Sequence, residues 1–293
     1  MTTINEFLDG ILEDFIEYID SQEQLCNLLD VHFDAGKVPD YSDVHVQQLY
    51  LLRSAYAYAF EYKMMYDDLL SRMQYNDAIK VTSIGCGNLI DYWSLSRVIG
   101  QNCKITYRGI DTIDWSYKMN EGTIDDVKFC KGNVLELFEN ANSFSSDVYI
   151  FPKSISEFTL EDIHTLARCF SADNIKKNIV HFMFSLRKEQ GSIRRDVRKT
   201  SVLYDHMLQC GFHSENTKGK YWVLNDAIRD KKIREIDDEF SHPDNVIDYL
   251  QELYYQCKNR TSCNLEHNCK YKLTRWPILG CQYIAWQTFT FER

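Results

Sequence analysis

The sequence is short of the residues and patterns that mark extended, repetitive or membrane-spanning chains. Proline occurs only 4 times and glycine 12 times in 293 residues, and no internal repeat or low-complexity segment is evident. This scarcity excludes collagen-like and proline-rich disordered chains, which need far more of both residues. The chain also has no apolar run of about eighteen residues, the length that a transmembrane helix requires, so we expect no membrane span. Its composition is that of a globular protein, with room for one large domain or two ordinary ones.

Positive charge is also in deficit. The 33 lysines and arginines face 43 aspartates and glutamates, which gives a net charge of −10. An acidic protein is repelled by a phosphate backbone, and this argues against general binding to nucleic acid. The first residues carry Glu6, Asp9, Glu13 and Asp14, unlike the positive region of a secretory signal. The ten cysteines are therefore expected to be reduced thiols of a cytoplasmic protein.

Two of the few glycines follow a strand-like segment. Residues 81–84 are short and mostly β-branched, which predicts a buried strand, and Gly85-Cys86-Gly87 comes directly after it. A glycine turn lets the backbone approach a ligand closely, because no Cβ stands in the way. Residues 90–100 have helical spacing, and residues 105–110 predict a second strand that ends in Asp111. A carboxylate at that strand end is well placed to accept hydrogen bonds from ribose hydroxyls.

The glycine turn differs from the dinucleotide fingerprint, because Ile90 stands where that fingerprint has its third small residue. It resembles instead the first motif of class I S-adenosylmethionine-dependent methyltransferases, here Ser83-Ile-Gly-Cys-Gly87. Many members of that superfamily have a further glycine two residues later, where this chain has Leu89. The resemblance implies S-adenosylmethionine as the cofactor, bound by Gly85, Cys86, Gly87 and Asp111.

Two further segments fit the resemblance. Residues 127–133 predict a third strand that ends in Gly132-Asn133, where the superfamily has an Asp or Asn that meets the adenine amino group. The alternative for Asn133 is an ordinary turn asparagine. Residues 147–151 predict a fourth strand, and Pro152 and Lys153 in its exit loop should face the methyl donor, since ligands bind beyond the carboxyl ends of strands.

This exit loop holds the catalytic candidates, Lys153 and Glu157. Lys153 could bind an anionic substrate or, if desolvation lowered its pKa, act as a base, and Glu157 could do acid–base work. The alternative is that Ser154 or Ser156 caps a helix that starts near residue 160, with Glu157 in solvent. The loop lacks the Asn/Asp-Pro-Pro-aromatic motif of many methyltransferases that act on base amino groups, which weakens a DNA-directed interpretation.

The first 75 residues are predicted to form a helical cap, with helices at about 7–19, 23–33 and 44–74. The third helix is rich in tyrosine. In the resembling methyltransferases such helices lie over the cofactor, which makes Tyr50, Arg53 and Tyr56 candidates for the pocket wall, although most of these tyrosines would equally suit a core. The same helices could also contact a protein partner.

The remaining chain, residues 76–293, is predicted to be the methyltransferase-like α/β domain. After residues 112–122, read as helix-like and then loose, a strand is expected near 178–186, a helix at 192–210 and strands at 221–224 and 283–291. His181, in the first of these strands, suits a satisfied core histidine. The order of elements resembles the methyltransferase ending, in which the last strand inserts antiparallel. The fold class is therefore α/β, a mostly parallel Rossmann-like sheet.

An insertion at about 226–282 is charged and rich in cysteine. Cys257, Cys263, Cys269 and Cys281 could close a tetrahedral zinc site, with His267 able to replace one of them. Their gaps are wider than the usual two to four residues within a ligand pair, so four reduced thiols remain the alternative.

The predicted function is methyl transfer from S-adenosylmethionine to an unknown acceptor. A small molecule or a protein suits the acidic charge better than nucleic acid does. Two alternatives stay open: a non-catalytic member of the fold that serves as a binding or partner subunit, and a transferase that uses another group of the same cofactor, such as its aminobutyrate arm.

Overall fold

A computed structural model describes residues 3–19, 28, 40–73, 78–99, 103–119, 126–171, 173–187, 192–223, 243–257, 269, 273 and 284–293. These residues form helices and one mixed sheet. The helices are α1 Ile4–Tyr18, α2 Val44–Leu70, α3 Ile90–Val98, α4 Val134–Glu139, a 3₁₀ helix Ile155–Glu157, α5 Leu160–Cys169, α6 Ser192–Gln209 and α7 Asp244–Tyr255. The strands are β1 Ala78–Ile84, β2 Lys104–Asp111, β3 Asp126–Lys131, β4 Val148–Phe151, β5 Ile179–Arg187, β6 Trp222–Val223 and β7 Ile284–Glu292.

The seven strands form one sheet in the order β3-β2-β1-β4-β5-β7-β6. The first five strands of the chain run parallel, whereas β7 is antiparallel to β5 and β6 is antiparallel to β7. The expected α/β fold, a mostly parallel Rossmann-like sheet with an antiparallel last strand, is confirmed. The chain turns from one half of the sheet to the other between β1 and β4, and ligands of such sheets bind at that switch point, beyond the carboxyl ends of the strands.

Helices cover both faces of the sheet. One hydrophobic cluster joins α1, α2 and α3 to one face, and a second joins α4, α5 and α6 to the other. The helix α2 is 27 residues long and buried on several sides, which explains why its sequence shows little amphipathic contrast. The N-terminal helices therefore share a core with the sheet. No helix among the described residues is long and apolar enough to cross a membrane.

Most element predictions agree with the structure to within a few residues. The prediction of helix-like structure is wrong for residues 112–119, which form bends and turns. The short helix α4 has no counterpart in the sequence analysis. The helix expected at 23–33 and most of the insertion at 226–282 lie outside the described residues, apart from Leu28, residues 243–257, Cys269 and Leu273.

Candidate functional site

The glycine turn leaves β1 at the switch point of the sheet. Gly85 has φ +69° and Gly87 has φ +54°, both in the left-handed region that favours glycine. The backbone N–H groups of Gly85 and Cys86 donate to the carbonyl of Ile110, at 2.8 and 3.2 Å, which ties the turn to the end of β2. A Cβ on Gly85 would lie 2.4 Å from the Cβ of Ser154, so the exit loop of β4 leaves room for glycine alone.

Asp111 holds the turn from the neighbouring strand. Its Oδ2 accepts a hydrogen bond from the Gly87 N–H at 2.8 Å, and its Oδ1 accepts one from the Ile113 N–H at 2.8 Å. Burial raises the pKa of the Asp111 carboxyl, while these backbone donors act in the opposite direction. An ionised carboxylate has about four acceptor positions, so the group retains capacity for the hydroxyls of a ligand.

Leu89 occupies the position at which many class I methyltransferases have another glycine, and it adopts a glycine-like backbone with φ +67°. Its side chain is fully buried. A Cβ on Gly109 of β2 would come within 2.9 Å of Leu89 Cδ2 and 2.7 Å of Cys86 Sγ, so this chain fills with leucine and cysteine the space that Gly109 leaves open. Left-handed strain of about 1–2 kcal/mol is offset by burial of the leucine, about 1.5–3 kcal/mol.

Aromatic side chains join the N-terminal helices to the turn. The ring of Trp115 lies 5.1 Å from that of Tyr41 and 5.6 Å from that of Tyr50, between centroids. Gln47 of α2 strengthens the link, because its Nε2 donates to the Tyr41 carbonyl at 2.7 Å and its Oε1 accepts from the Ser116 N–H at 2.9 Å. The loop after β2 is thus fastened to α2.

The three pocket candidates on α2 have different surroundings. Tyr50 belongs to the aromatic contact with Trp115. Tyr56 is buried in the core that α2 shares with the sheet, and Arg53 is half-buried and lies close enough to Tyr58 to influence its pKa. Tyr50 is therefore separated from the turn by the Trp115 ring, and Tyr56 packs in the core.

Lys153 forms a buried ion pair with Glu61, a residue that the sequence analysis did not single out. The Lys153 Nζ lies 2.7 Å from Glu61 Oε1 and donates to the Leu186 carbonyl at 2.8 Å. The Ser185 hydroxyl donates to the same Glu61 oxygen at 2.6 Å. Burial raises the pKa of Glu61, and the Lys153 ammonium opposes that shift. Lys153 also has a left-handed φ of +58°, and such strain in a non-glycine residue is often found at functional sites.

Glu157 is paired as well. Its Oε1 lies 3.2 Å from Nη2 of Arg187, at the carboxyl end of β5, and 42% of its side chain is exposed. Both residues predicted to be catalytic therefore lie at the carboxyl edge of the sheet, but each is engaged by an opposite charge. Neither is poised as an unengaged base.

The alternative that Ser154 or Ser156 caps α5 is wrong. Thr159 is the N-cap of α5, and it exchanges hydrogen bonds with Asp162 in a capping box. The Ser154 hydroxyl donates to the Ile84 carbonyl, and that of Ser156 donates to the Lys153 carbonyl at 3.2 Å. Both serines instead fix the path of the exit loop.

The two remaining cofactor candidates end the neighbouring strands. Asn133 is the N-cap of α4, where its Oδ1 accepts from the Leu135 N–H at 2.9 Å, while the adenine contact stays a prediction. Pro152 is buried directly after β4. His181 is buried, and its Nδ1 lies 3.0 Å from the Thr290 hydroxyl, as expected of a satisfied core histidine.

The zinc hypothesis stays a prediction. Cys257 and Cys269 are half-buried, whereas Cys263, Cys281 and His267 lie outside the described residues. Among the residues that the structure describes, no group of three or more histidine, cysteine or acidic side chains could hold a metal ion.

The comparisons with known proteins give structural likeness only. No profile of a known protein family matches the chain, and no curated protein matches it significantly. It is similar to a methyltransferase dependent on S-adenosylmethionine from Archaeoglobus fulgidus, with 13% identity, 79% of this chain and 94% of that chain covered and a TM-score of 0.39. A second such methyltransferase, from Geobacter sulfurreducens in complex with S-adenosyl-L-homocysteine, has 14% identity, 80% and 91% coverage and a TM-score of 0.37.

A third similar structure is the cyclopropane synthase MmaA2 from Mycobacterium tuberculosis, with 12% identity, 94% of this chain and 95% of that chain covered and a TM-score of 0.42. The strand order of the sheet, rather than these likenesses, defines the fold.

Three side chains at the site were missed by sequence reasoning: Glu61, Trp115 and Arg187. Glu61 had a detectable signal, because an acidic residue stands there among apolar positions of α2 that are otherwise buried. Trp115 lies in the loop after β2 and Arg187 is the last residue of β5, and only the folded chain brings them to the same edge of the sheet.

Proposed function

We propose that the chain binds S-adenosylmethionine at its glycine turn and acts as a methyltransferase on a small-molecule or protein acceptor. The observation that carries this proposal is the hydrogen bond between the Gly87 N–H and Asp111, which sets the two glycines of the turn beside a half-buried carboxylate. Asp111 accepts and does not donate, which suits ribose hydroxyls. Gly85, Cys86, Pro152 and Asn133 complete the proposed cradle.

The cofactor supplies an electrophilic methyl group when bound, and the chain's task is mainly to position the acceptor in line with it. Beyond the turn, that edge of the sheet offers Lys153, Glu157 and Arg187 as polar side chains. Because Lys153 and Glu157 are both paired, an acceptor that needs little help in losing a proton suits this site best. The net charge of −10 favours a small molecule or a protein over nucleic acid as the acceptor.

The paired state of both catalytic candidates also favours a second function, a binding subunit that holds the cofactor without turning it over. A transferase that uses the aminobutyrate arm is the third case. Product analysis after incubation with S-adenosylmethionine and a metabolite or protein extract separates the three. S-adenosylhomocysteine indicates methyl transfer, methylthioadenosine indicates use of the aminobutyrate arm, and binding without either product indicates the binding subunit.

A further inference from the structure

Two buried hydrogen-bond donors beside the glycine turn have no acceptor among the described residues. They are Nε1 of Trp115 and Nδ2 of Asn88. The two residues are only 6% and 4% exposed, respectively. A buried donor that makes no hydrogen bond leaves the free-energy cost of its desolvation uncompensated. Such a group in a native protein therefore calls for a specific explanation.

Both donors belong to residues that lie next to the same glycine, Gly87. Asn88 follows Gly87 in the chain, and the indole of Trp115 lies against Gly87, with Cε2 3.7 Å and Nε1 3.9 Å from the position that a Cβ on Gly87 would take. The absence of a side chain on Gly87 therefore leaves its space next to the indole edge that carries Nε1. This is the point at which the proposed cofactor approaches the backbone.

The Trp115 ring and the backbone of Asn88 are held in place by the rest of the structure. The rings of Tyr41 and Tyr50 contact the Trp115 ring, and the main-chain carbonyl of Asn88 accepts a hydrogen bond from the Met119 N–H at 2.9 Å. A ligand that binds there need not order them first, so little affinity is lost to conformational entropy.

The chemistry of the donors selects the ligand group. The indole N–H and the amide NH₂ can donate but not accept, so they match a group that only accepts. Ribose hydroxyls, which also donate, suit the carboxylate of Asp111 instead. The group of S-adenosylmethionine that only accepts and carries negative charge is the carboxylate of its amino-acid arm.

We propose that Trp115 Nε1 and Asn88 Nδ2 bind the carboxylate of the cofactor's amino-acid arm, and that the site thereby selects S-adenosyl amino acids over nucleosides without that arm. This inference rests on the proposed function. It makes Trp115 and Asn88 specificity-determining residues, which the superfamily motif alone does not identify.

The test compares two ligands on the full chain. S-adenosylhomocysteine carries the amino-acid arm, and methylthioadenosine lacks it. Trp115→Phe keeps the aromatic packing but removes the N–H. We expect it to weaken S-adenosylhomocysteine binding by about tenfold to a hundredfold, as for a hydrogen bond to a charged group, and to change methylthioadenosine binding by less than about threefold. Trp222→Phe, on exposed β6, is the matched control and should change neither affinity.

A second variant tests the inference independently in case Trp115→Phe does not fold properly. Asn88→Asp puts a negative charge beside the proposed carboxylate position and should discriminate even more strongly against S-adenosylhomocysteine, again with methylthioadenosine affected little. Thermal melting without ligand shows whether each variant is folded.

Three outcomes would overturn the inference. An unchanged affinity of Trp115→Phe for S-adenosylhomocysteine would remove Trp115 from ligand recognition. Tighter binding of both ligands would mean that the indole obstructs the turn. If the unmodified protein binds neither ligand, the proposed function fails together with this inference, whereas the first two outcomes leave the proposed function intact.

Discussion

At the scale of single residues, Leu89 stands where many of the methyltransferases that the turn resembles have glycine, and burial of its side chain offsets the strain. Leu89 takes a left-handed conformation, φ +67°, that glycine adopts at less cost. The sequence showed the departure from the motif but not its compensation, because the open space above Gly109 depends on the pairing of β1 with β2.

Leu89→Ala and Leu89→Gly separate the strain at this position from the packing. Both variants should be less stable than the unmodified protein by about 2–5 kcal/mol, because both leave a cavity in the core. The glycine variant should be the more stable of the two by about 1 kcal/mol, since it alone escapes the left-handed penalty. Chemical denaturation measures both. An alanine variant as stable as the glycine variant would show that residue 89 is not left-handed in solution.

Two buried residues far from solvent have opposite effects on acid stability. Burial raises the pKa of Asp91 from 3.8 to about 6, although the Tyr107 hydroxyl donates to both of its oxygens. Burial lowers the pKa of His181 from 6.5 to about 4. The stability due to Asp91 is full below pH 3.8 and is lost as the pH rises through 6. That due to His181 is present above pH 6.5 and is lost as the pH falls through 4.

The two effects are about 3 kcal/mol each and cancel between pH 4 and 6.5. Asp91→Asn removes one of the two effects. The free energy of unfolding of this variant should therefore fall steeply as the pH is lowered from 6.5 to 4, relative to the unmodified protein. His181→Gln should show the opposite slope. Urea titrations at several pH values test this. Parallel pH profiles for all three proteins would contradict the assigned pKa directions.

At the scale of elements, α2 is attached to the carboxyl edge of the sheet by a charge pair that no local pattern shows. Glu61 and Lys153 are 92 residues apart in the chain. Loop 112–119 has a similar explanation: its apolar residues Ile113, Trp115 and Tyr117 are buried or half-buried against the core around α2 without forming a helix. By contrast, the central strands were predictable, because burial on both faces demands continuous apolar runs.

A double-mutant cycle tests the attachment. Lys153→Met leaves a buried, unpaired carboxylate and should cost about 3–5 kcal/mol at pH 7, and Glu61→Gln leaves a buried ammonium with one fewer charged partner. The double variant should cost clearly less than the sum of the two single costs, with a coupling of about 2 kcal/mol or more. The Lys153→Met defect should shrink in acid, because Glu61, with its raised pKa, can then be neutral. Additive costs would mean that the two side chains do not interact in solution.

At the scale of the whole molecule, the described helices pack on both faces of the sheet, and the candidate site lies at the carboxyl edge of its strands. The sequence supplied the strands, the glycine turn and Asp111, and the resemblance supplied the antiparallel last strand, which periodicity cannot give. What it could not supply is the neighbourhood of each side chain: that Lys153 is engaged by Glu61, and that the Trp115 ring covers Gly87. These contacts join segments that are distant in sequence, so they depend on tertiary packing alone.

The most direct test of the central claim is a calorimetric titration with S-adenosylmethionine, with NAD as the comparison ligand. The unmodified protein should bind S-adenosylmethionine and not NAD. Gly87→Ala should weaken that binding at least tenfold, because its Cβ enters the proposed cofactor space. Gly211→Ala is the matched control: Gly211 has a similar left-handed φ of +85° with nothing within 4 Å, so it carries the strain without the site. Absence of binding at millimolar S-adenosylmethionine, or equal losses in the two glycine variants, would contradict the assignment of this turn as the cofactor site.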